Sequence, residues 1–393
     1  MGFDLRRLAL RTGRSGLCGG RRVKIVQLAG LAGPDAVAGG VWRVAETQTA
    51  ALSRAGHHPR LIAGWWGDPI GVDSSASRLV RAQEMVPGGG LRLLRTPTLR
   101  NALKSEVIDA TVAHVHLARD FITVPALRSF VTSRTPIVAQ THGMLRRKPE
   151  LSGRLFDLMY RRRILRAVTL WLALTDREVG ELLDFGVPPE RIRLIPNSVV
   201  GGTGSWTQPS RPHFAFVSRF HARKQPAVLV RASERLFDEG YEFDVTLAGP
   251  DEGAKAEVTQ MVSRSPYRDR FTIANALSSE AVAQTLSSVT AVVLPSRDEV
   301  APMIALEASA SGTPLVLTDD CGLAAEYAQA AAAEIVEPTT VGVANGMRKL
   351  LSDPGLVARL STAGRRLFDA RWSEGALVSA LESSYATARE LSR

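Results

Sequence analysis

The sequence contains few of the features that mark secreted, membrane-spanning or cysteine-bound proteins. Its two cysteines, Cys18 and Cys321, lie too far apart in sequence to build a disulfide framework or a multi-cysteine metal site. The longest apolar run, AVTLWLAL from Ala167, is less than half of the roughly eighteen residues that a membrane-spanning helix needs. We therefore expect a protein of a reduced, cytoplasmic compartment.

Charge is distributed unevenly along the chain. Residues 1–200 contain 30 Lys and Arg against 16 Asp and Glu, a net charge of +14, whereas residues 201–393 contain 19 against 23, a net charge of −4. The first half is therefore expected to meet an anionic surface. Residues 1–22 hold six of its arginines but no apolar core, so they are not a signal peptide. We predict a disordered basic tail there, or an over-extended start of the chain.

From Val23 onward, short apolar runs alternate with helical patterns. VKIVQLAG, VAHVHL and LWLALT have the composition of buried strands, and the stretches between them have helical periodicity. This alternation predicts an α/β fold with parallel sheets. Residues 201–212, GGTGSWTQPSRP, interrupt the alternation and form the candidate linker. We expect two doubly wound, Rossmann-like domains, residues 23–200 and 213–374, facing a ligand cleft, and a C-terminal helix at about 375–393 that packs back on the first domain.

Two glutamates stand in the otherwise apolar stretch RDEVAPMIALEASASGTP. Pro302 suits the first turn of a helix, and Glu307 falls within that helix. A helix that is apolar almost all round is usually buried, so the Glu307 carboxylate needs a hydrogen-bonding partner such as a ligand diol. The alternative is that Glu307 and Ser311 form a narrow solvent-exposed stripe. Glu299 follows a strand, where functional groups collect, although a solvated loop acid fits equally well.

The segment FVSRFHARKQP places two cations between a strand and a helix. Arg219 follows the strand, and Lys224 precedes a helix that begins at about Pro226. Two cations beside a helix N-terminus form a site for a diphosphate, because the helix dipole and the free N–H groups add to their charge. The alternative is that both are ordinary solvated loop cations.

Glycines and histidines mark further strand ends in the first half. Gly39 and Gly40 precede a helix, where they let backbone amides approach a phosphate closely, although a plain turn explains them as well. His114 and His116 lie two apart on one strand and face the same side. With no third ligand evident, we favour packing or substrate contact over a metal site. His142 stands where a strand meets a glycine-containing loop, as a substrate contact or a structural histidine.

A basic segment with interleaved apolar residues follows, LRRKPELSGRLFDLMYRRRILR. An amphipathic helix of this type rests on anionic lipid, although a solvated arginine-rich face explains the pattern equally well. Nucleic acid is the weaker reading, because no nucleic-acid-binding motif accompanies the charge. The cations proposed to meet a membrane are Arg146, Arg147, Lys148, Arg161, Arg162 and Arg163.

The order of these motifs resembles that of the retaining glycosyltransferases of family 4, with the GT-B fold. The resemblance extends over nearly the whole chain from Val23. It rests on a glycine-rich first loop, HG at a strand end, DFGVPPERIRLIPNSV, R-x4-K, LAGP, and E-x7-E followed by G-x-P. It implies transfer of a sugar from a nucleoside diphosphate sugar, with UDP or GDP as the nucleotide, to an unidentified acceptor. Bacterial cell-surface polysaccharide or glycolipid synthesis is the implied setting.

The resemblance also implies roles for individual residues. Arg219 and Lys224 grip the donor diphosphate, Glu299 lies near the transferred sugar, and Glu307 binds the ribose hydroxyls. The other implied site residues are Gly39, Gly40, His142, Met303, Ile304, and Asn275, Ala276 and Leu277 beside the base. No nucleophile is implied, because the family is expected to react on one face of the sugar. Val300 and Ala301 replace a Gly-Phe-like pair and leave the identity of the sugar open.

Neither a metal nor a cofactor beyond the donor is expected, since no strict D-x-D motif occurs in the chain. Two other functions fit the same motifs. One is a nucleotide-sugar epimerase on the same fold, which would form product without any acceptor. The other is a non-catalytic scaffold that binds nucleotide sugars and turns nothing over. The full set of site residues favours the transferase.

Overall fold

The computed structural model describes residues 22–32, 39–66, 76–86, 93–146, 151–195, 199 and 205–392. The chain divides into two compact units. The first contains the residues before Val199 together with Glu374–Arg393, and the second contains Val199–Ser373. Most of the basic tail, Arg147, Lys148 and the start of the linker lie outside the described residues.

The first unit is built on a seven-stranded parallel sheet with the order β3-β2-β1-β6-β7-β8-β9. Its strands are β1 (Lys24–Leu31), β2 (His58–Trp65), β3 (Ser77–Arg81), β6 (Val112–His116), β7 (Ile137–Gln140), β8 (Leu170–Ala173) and β9 (Ile192–Leu194). A short antiparallel pair, β4 (Gln83–Glu84) and β5 (Leu94–Arg95), lies beside it. Its helices are α1 (Gly39–Arg54), α2 (Leu99–Val107), α3 (Thr123–Thr132), α4 (Leu151–Ala167), α5 (Asp176–Phe185) and α13 (Glu374–Leu391).

Strands β6, β7 and β8 are buried at every position, as expected for a parallel sheet with helices on both faces. The last helix, α13, covers part of this sheet. Leu377, Leu381 and Tyr385 pack with Val112 and Leu170, so the C-terminal segment completes the core of the first unit.

The second unit is built on a six-stranded parallel sheet with the order β12-β11-β10-β13-β14-β15. Its strands are β10 (His213–Val217), β11 (Asp244–Ala248), β12 (Phe271–Ala274), β13 (Ala291–Leu294), β14 (Leu315–Thr318) and β15 (Glu334–Val336). Its helices are α6 (Pro226–Asp238), α7 (Lys255–Arg264), α8 (Ser279–Ser288), α9 (Met303–Ser311), α10 (Ala324–Gln329), α11 (Thr340–Ser352) and α12 (Pro354–Arg371). The prediction of two doubly wound parallel α/β units is confirmed.

The described part of the candidate linker packs on the second unit. The Trp206 backbone N–H donates to the Ser311 carbonyl at 3.0 Å, and its indole Nε1 donates to the Val289 carbonyl at 2.7 Å. Within the described ranges, no helix is both long enough and apolar enough to cross a membrane.

Candidate active site

Lys224 occupies a loop at the carboxyl edge of the second sheet. Because the strands are parallel, the loops after β10, β11, β13 and β14 all leave from this edge. The Ala222–Lys224 segment forms one 3-10 turn, and Gln225 takes the left-handed conformation, with φ of 49°. Pro226 then starts α6, where its fixed φ and missing N–H suit the first position. This local sequence therefore fixes Lys224 directly before a helix N-terminus, as predicted.

The Lys224 ammonium donates to the Glu299 carboxylate. Lys224 is 8% exposed and Glu299 is 9% exposed. A charge this deeply buried requires a partner, and each of these side chains is the partner of the other. The sequence predicted separate roles for the two residues, and the structure brings them into direct contact.

Backbone contacts to two neighbouring loops hold Glu299 in place. The Glu299 carbonyl accepts from the Gly322 N–H at 2.8 Å, in a parallel bridge with Cys321. Burial raises the pKa of the Cys321 thiol to about 12, so this cysteine is a neutral packing residue. Two residues earlier, the Arg297 N–H donates to the Arg223 carbonyl at 2.7 Å. The loops after β10, β13 and β14 therefore form one connected structure around the ion pair.

Arg219 lies in the same loop as Lys224 but has a different partner. Its Nη1 atom is 2.8 Å from Glu252, a residue for which the sequence suggested no role. The Arg219 side chain is 41% exposed, so it reaches solvent while paired. A Cβ atom at Gly249 would lie 1.9 Å from the Ser218 carbonyl oxygen, which shows that the two loops touch backbone to backbone. The glycine of the LAGP motif permits this approach.

Helix α9 presents its N-terminus after the Glu299 loop. Met303 and Ile304 form its first turn, where backbone N–H groups lack a partner within the helix. Pro302 lies at the cap position, one residue before the place predicted for it. Glu307 is half-buried and makes polar contacts, whereas Ser311 is only 5% exposed and its hydroxyl donates to the Glu307 carbonyl at 3.1 Å. The alternative of a solvent-exposed stripe is therefore wrong at Ser311.

The segment Asn275–Leu277 follows β12, as predicted, and is exposed or half-exposed. Asn275 Oδ1 accepts from Lys255 Nζ at 2.5 Å. The same ammonium lies 5.4 Å from the ring centre of Phe220, which positions Lys255 beside the β10 loop. Lys255 is a second residue that the sequence gave no reason to select.

His142 follows the first sheet's strand β7 in a left-handed conformation, with φ of 51°. Its Nε2 atom lies 2.9 Å from His116 Nδ1. His114 and His116 stack at 4.8 Å, which confirms that they face the same side, and His114 Nδ1 is 2.9 Å from the Tyr385 hydroxyl. Burial lowers the pKa of all three histidines, to about 3 for His114. All three are therefore neutral near pH 7.

Glu178 fixes the loop that carries His142. Its buried carboxylate accepts hydrogen bonds from the Thr141 hydroxyl, from the Gly143 N–H at 2.7 Å and from the Leu174 N–H at 2.7 Å. Burial raises the pKa of this carboxyl, and the three donors oppose that change. A single acid therefore determines the path of the chain on both sides of His142.

The remaining predicted positions lie in the first unit. Gly39 and Gly40 are the first two residues of α1, whereas the sequence predicted that they precede it. A Cβ atom at Gly40 would meet nothing within 4 Å, so space there is open. The preceding loop, residues 33–38, lies outside the described residues. Across the described ranges, no group of three or more His, Cys, Asp or Glu residues could hold a metal ion.

Two family models match the chain. Glycosyltransferase Family 4 matches residues 38–200, and Glycosyl transferases group 1 matches residues 207–367. A putative glycosyltransferase of Bacillus subtilis, EpsF, is 26% identical over 328 residues, which cover 76% of this chain and 78% of the relative. An alpha-D-kanosaminyltransferase of Streptomyces kanamyceticus is 29% identical over 176 residues, 44% of this chain and 45% of the relative. The match therefore spans about half the length of that second protein.

Solved structures share the fold at low sequence identity. Anabaena Alr3699/HepE in complex with UDP has a TM-score of 0.73 and 16% identity, covering 91% of this chain and 98% of the other. WaaG, a glycosyltransferase involved in lipopolysaccharide biosynthesis, has a TM-score of 0.63 and 16% identity, covering 92% and 98%. The fold is therefore GT-B, and the two family models together span most of the chain. The chain belongs to the group 1 glycosyltransferases, with a family 4 domain in its N-terminal half.

Proposed function

We propose that this glycosyltransferase moves a sugar from a nucleoside diphosphate sugar to an acceptor with retention of the anomeric configuration and without a metal ion. The second unit binds the donor, and the first unit binds the acceptor and contributes His142. Arg219 and Lys224 hold the diphosphate, Glu299 faces the sugar, and Glu307 binds the ribose.

The observation that carries this proposal is the buried contact between Lys224 and Glu299. In a nucleotide sugar, one bond joins the terminal phosphate to the anomeric carbon. Breaking that bond develops negative charge on the phosphate and positive charge on the sugar. A cation and an anion fixed side by side match both charges, and preorganised charges of this kind are often the largest contribution to catalysis.

The N-terminus of α9 supplies the rest of the diphosphate site. Backbone N–H groups at Met303 and Ile304 add partial positive charge at the loop that carries Glu299. A nucleotide as the leaving group is supported by the HepE structures, which contain UDP and UDP-glucose. Protein cations and backbone amides thus take the place of a metal ion at the leaving group.

A panel of nucleotide sugars tests the donor. The correct donor or its nucleotide raises the apparent melting temperature by mass action, without knowledge of the acceptor. The Lys224→Ala, Glu307→Ala double variant should lose this stabilisation. If no nucleotide sugar shifts the wild type, or if the double variant responds equally, the proposal fails. Formation of an isomer from the donor alone would identify an epimerase instead.

Retention has its own test. In the proposed mechanism, the acceptor attacks from the face that the phosphate leaves, without a protein nucleophile, and this phosphate removes the acceptor proton. NMR of the sugar released by slow donor hydrolysis should first show the anomer that matches the donor. Initial release of the opposite anomer would exclude a retaining mechanism.

A second part of the proposal places the first unit on an anionic membrane, with a lipid-linked acceptor used in cell-surface glycan synthesis. Helix α4 exposes Leu151 by 81%, Leu155 by 53% and Leu158 by 81%. Arg154 and Arg162 are exposed between and beyond these apolar residues. An exposed apolar face with flanking cations is typical of helices that lie on anionic lipid.

Arg161 does not belong to this membrane face. Its Nε atom donates to the Phe185 carbonyl at 2.7 Å, and its guanidinium lies over the Phe185 ring. Arg166, in the last turn of α4, is also exposed. The membrane test therefore uses an Arg154→Gln, Arg162→Gln, Arg166→Gln variant, which should bind vesicles of phosphatidylglycerol and phosphatidylcholine more weakly than the wild type. The control removes three exposed arginines of the second unit, by Arg264→Gln, Arg366→Gln and Arg371→Gln. Equal vesicle binding by wild type and the α4 variant would refute membrane association through α4.

A further inference from the structure

A groove of about 570 Å³ runs between α2 and α3 of the first unit. It begins at Thr96 and Ile122, which pack against the carboxyl end of β2: a Cβ atom at Gly64 would lie 3.0 Å from Thr96 and 3.2 Å from Ile122. Ligands of open parallel sheets bind at this edge. One end of the groove therefore lies at the edge of the sheet where a ligand is expected.

Four cations line the groove: Arg100, Lys104, Arg128 and Arg163. All four are exposed, and none forms a side-chain hydrogen bond or ion pair with any residue that the structure describes. Across the same ranges, no acidic residue lines the groove. Arg100 and Lys104 also lie one turn apart on α2, where like charges repel each other. A concentration of unpaired positive charge with no counter-charge fits an anionic ligand.

Part of the groove lining is apolar. Leu99, Phe121 and Pro125 contribute to it, so the groove combines cations with a surface that prefers hydrocarbon. Arg163 connects the groove to the membrane face of α4, because it follows Leu155 and Met159 at intervals of one helical turn. Met159 is itself 55% exposed. A free phosphate would use the cations but leave the apolar part without a function.

We infer that this groove binds a phospholipid, with the anionic head group between the four cations and the start of an acyl chain on the apolar lining. The inference rests on the proposed association with a membrane, and it names one lipid site within that association. It concerns the first unit alone and does not depend on donor binding.

Calorimetric titration with dihexanoyl phosphatidylglycerol below its micelle concentration tests the groove without a bilayer. We expect saturable binding to the wild type and at least a tenfold weaker affinity for the Arg100→Gln, Lys104→Gln, Arg128→Gln variant, since charge-assisted contacts are lost. Ser129→Trp should block the groove without changing charge, because Ser129 lines it. The Arg264→Gln, Arg366→Gln, Arg371→Gln control loses the same charge and should bind as the wild type does.

Each other outcome overturns the inference in a recognisable way. An absence of saturable binding to the wild type removes the site. An equal loss in the control variant shows that binding is unspecific attraction to charge. Binding of glycerol 3-phosphate as tight as that of the lipid identifies a soluble phosphate ligand, and equal binding of dihexanoyl phosphatidylcholine removes the requirement for an anion.

Stabilisation by nucleotide sugars should be unchanged in the groove variants, so failure of the lipid site is separable from failure of the proposed transferase. The α4 variant should retain this site.

Discussion

Lys224 and Glu299, which are seventy-five positions apart in sequence, form a buried ion pair at the carboxyl edge of the second sheet. A bound diphosphate would have to share the Lys224 charge with Glu299. If the proposed reaction is correct, this contact weakens donor binding and speeds transfer, and single substitutions should separate the two effects.

Glu299→Gln should strengthen nucleotide binding while slowing transfer. The amide leaves the Lys224 charge available to the diphosphate, so the affinity for the nucleoside diphosphate should rise several-fold. Loss of the anion beside the sugar should reduce the turnover number on the order of a hundredfold. Calorimetric titration and a turnover assay measure the two quantities. An unchanged turnover number would contradict the role given to Glu299.

Glu252→Gln should also strengthen nucleotide binding, but without loss of turnover. Glu252 forms an ion pair with a partly exposed Arg219. The interaction free energy of such a pair is at most about 1 kcal/mol. Releasing Arg219 should therefore increase diphosphate affinity by up to about fivefold. Arg219→Gln should have the opposite effect. If Glu252→Gln weakened binding, Arg219 would need its carboxylate partner in order to meet the donor.

His114 should make the first unit less stable in acid. Its pKa falls from 6.5 to about 3 in the folded protein because it is buried. As the pH drops below 6.5, His114 becomes protonated in the unfolded chain but stays neutral in the folded protein until about pH 3. The free energy of unfolding therefore decreases over this range. His114→Gln should flatten this decrease by about 1.4 kcal/mol per pH unit. Tyr385→Phe keeps the histidine and should keep the slope; an identical slope in His114→Gln would refute the assignment.

Leu381→Ala should destabilise the first unit by about 2–5 kcal/mol, because a fully buried side chain of α13 leaves a cavity against the sheet. Hydrogen exchange of the β7 and β8 amides reports this loss locally. Leu391 lies on the same helix and is 51% exposed, so Leu391→Ala should change the free energy of unfolding by less than about 0.5 kcal/mol. Equal exchange rates in the two variants would show that α13 does not stabilise the sheet.

The sequence predicted the elements that have strong local signals. Buried strands such as β10 and the start of α6 at Pro226 were identified from apolar runs and from helix-start chemistry. The parallel arrangement followed from the alternation of strands and helices. These features depend on residues that are adjacent in the sequence, so the order of residues along the chain is enough to predict them.

The side-chain contacts between distant residues were not predictable from the sequence. Glu252 and Glu178 stand in unremarkable sequence, and they gain their roles only when distant strands bring them to Arg219 and to the His142 loop. The alternative of an exposed stripe was wrong at Ser311, because the apolar pattern of α9 did not show which of its faces is covered. The roles of the predicted site residues toward donor and acceptor stay predictions.

The most direct test of the proposed reaction is the rate at which the enzyme releases nucleoside diphosphate from its donor. Lys224→Ala should lower this rate by about two to three orders of magnitude, because the charge on the leaving phosphate loses its fixed cation. Lys349→Ala is the matched control, since that lysine is 60% exposed and pairs with Glu334 on the surface. We predict that only the first substitution reduces the rate; equal rates in the two variants would contradict the assignment of Lys224 and the mechanism built on it.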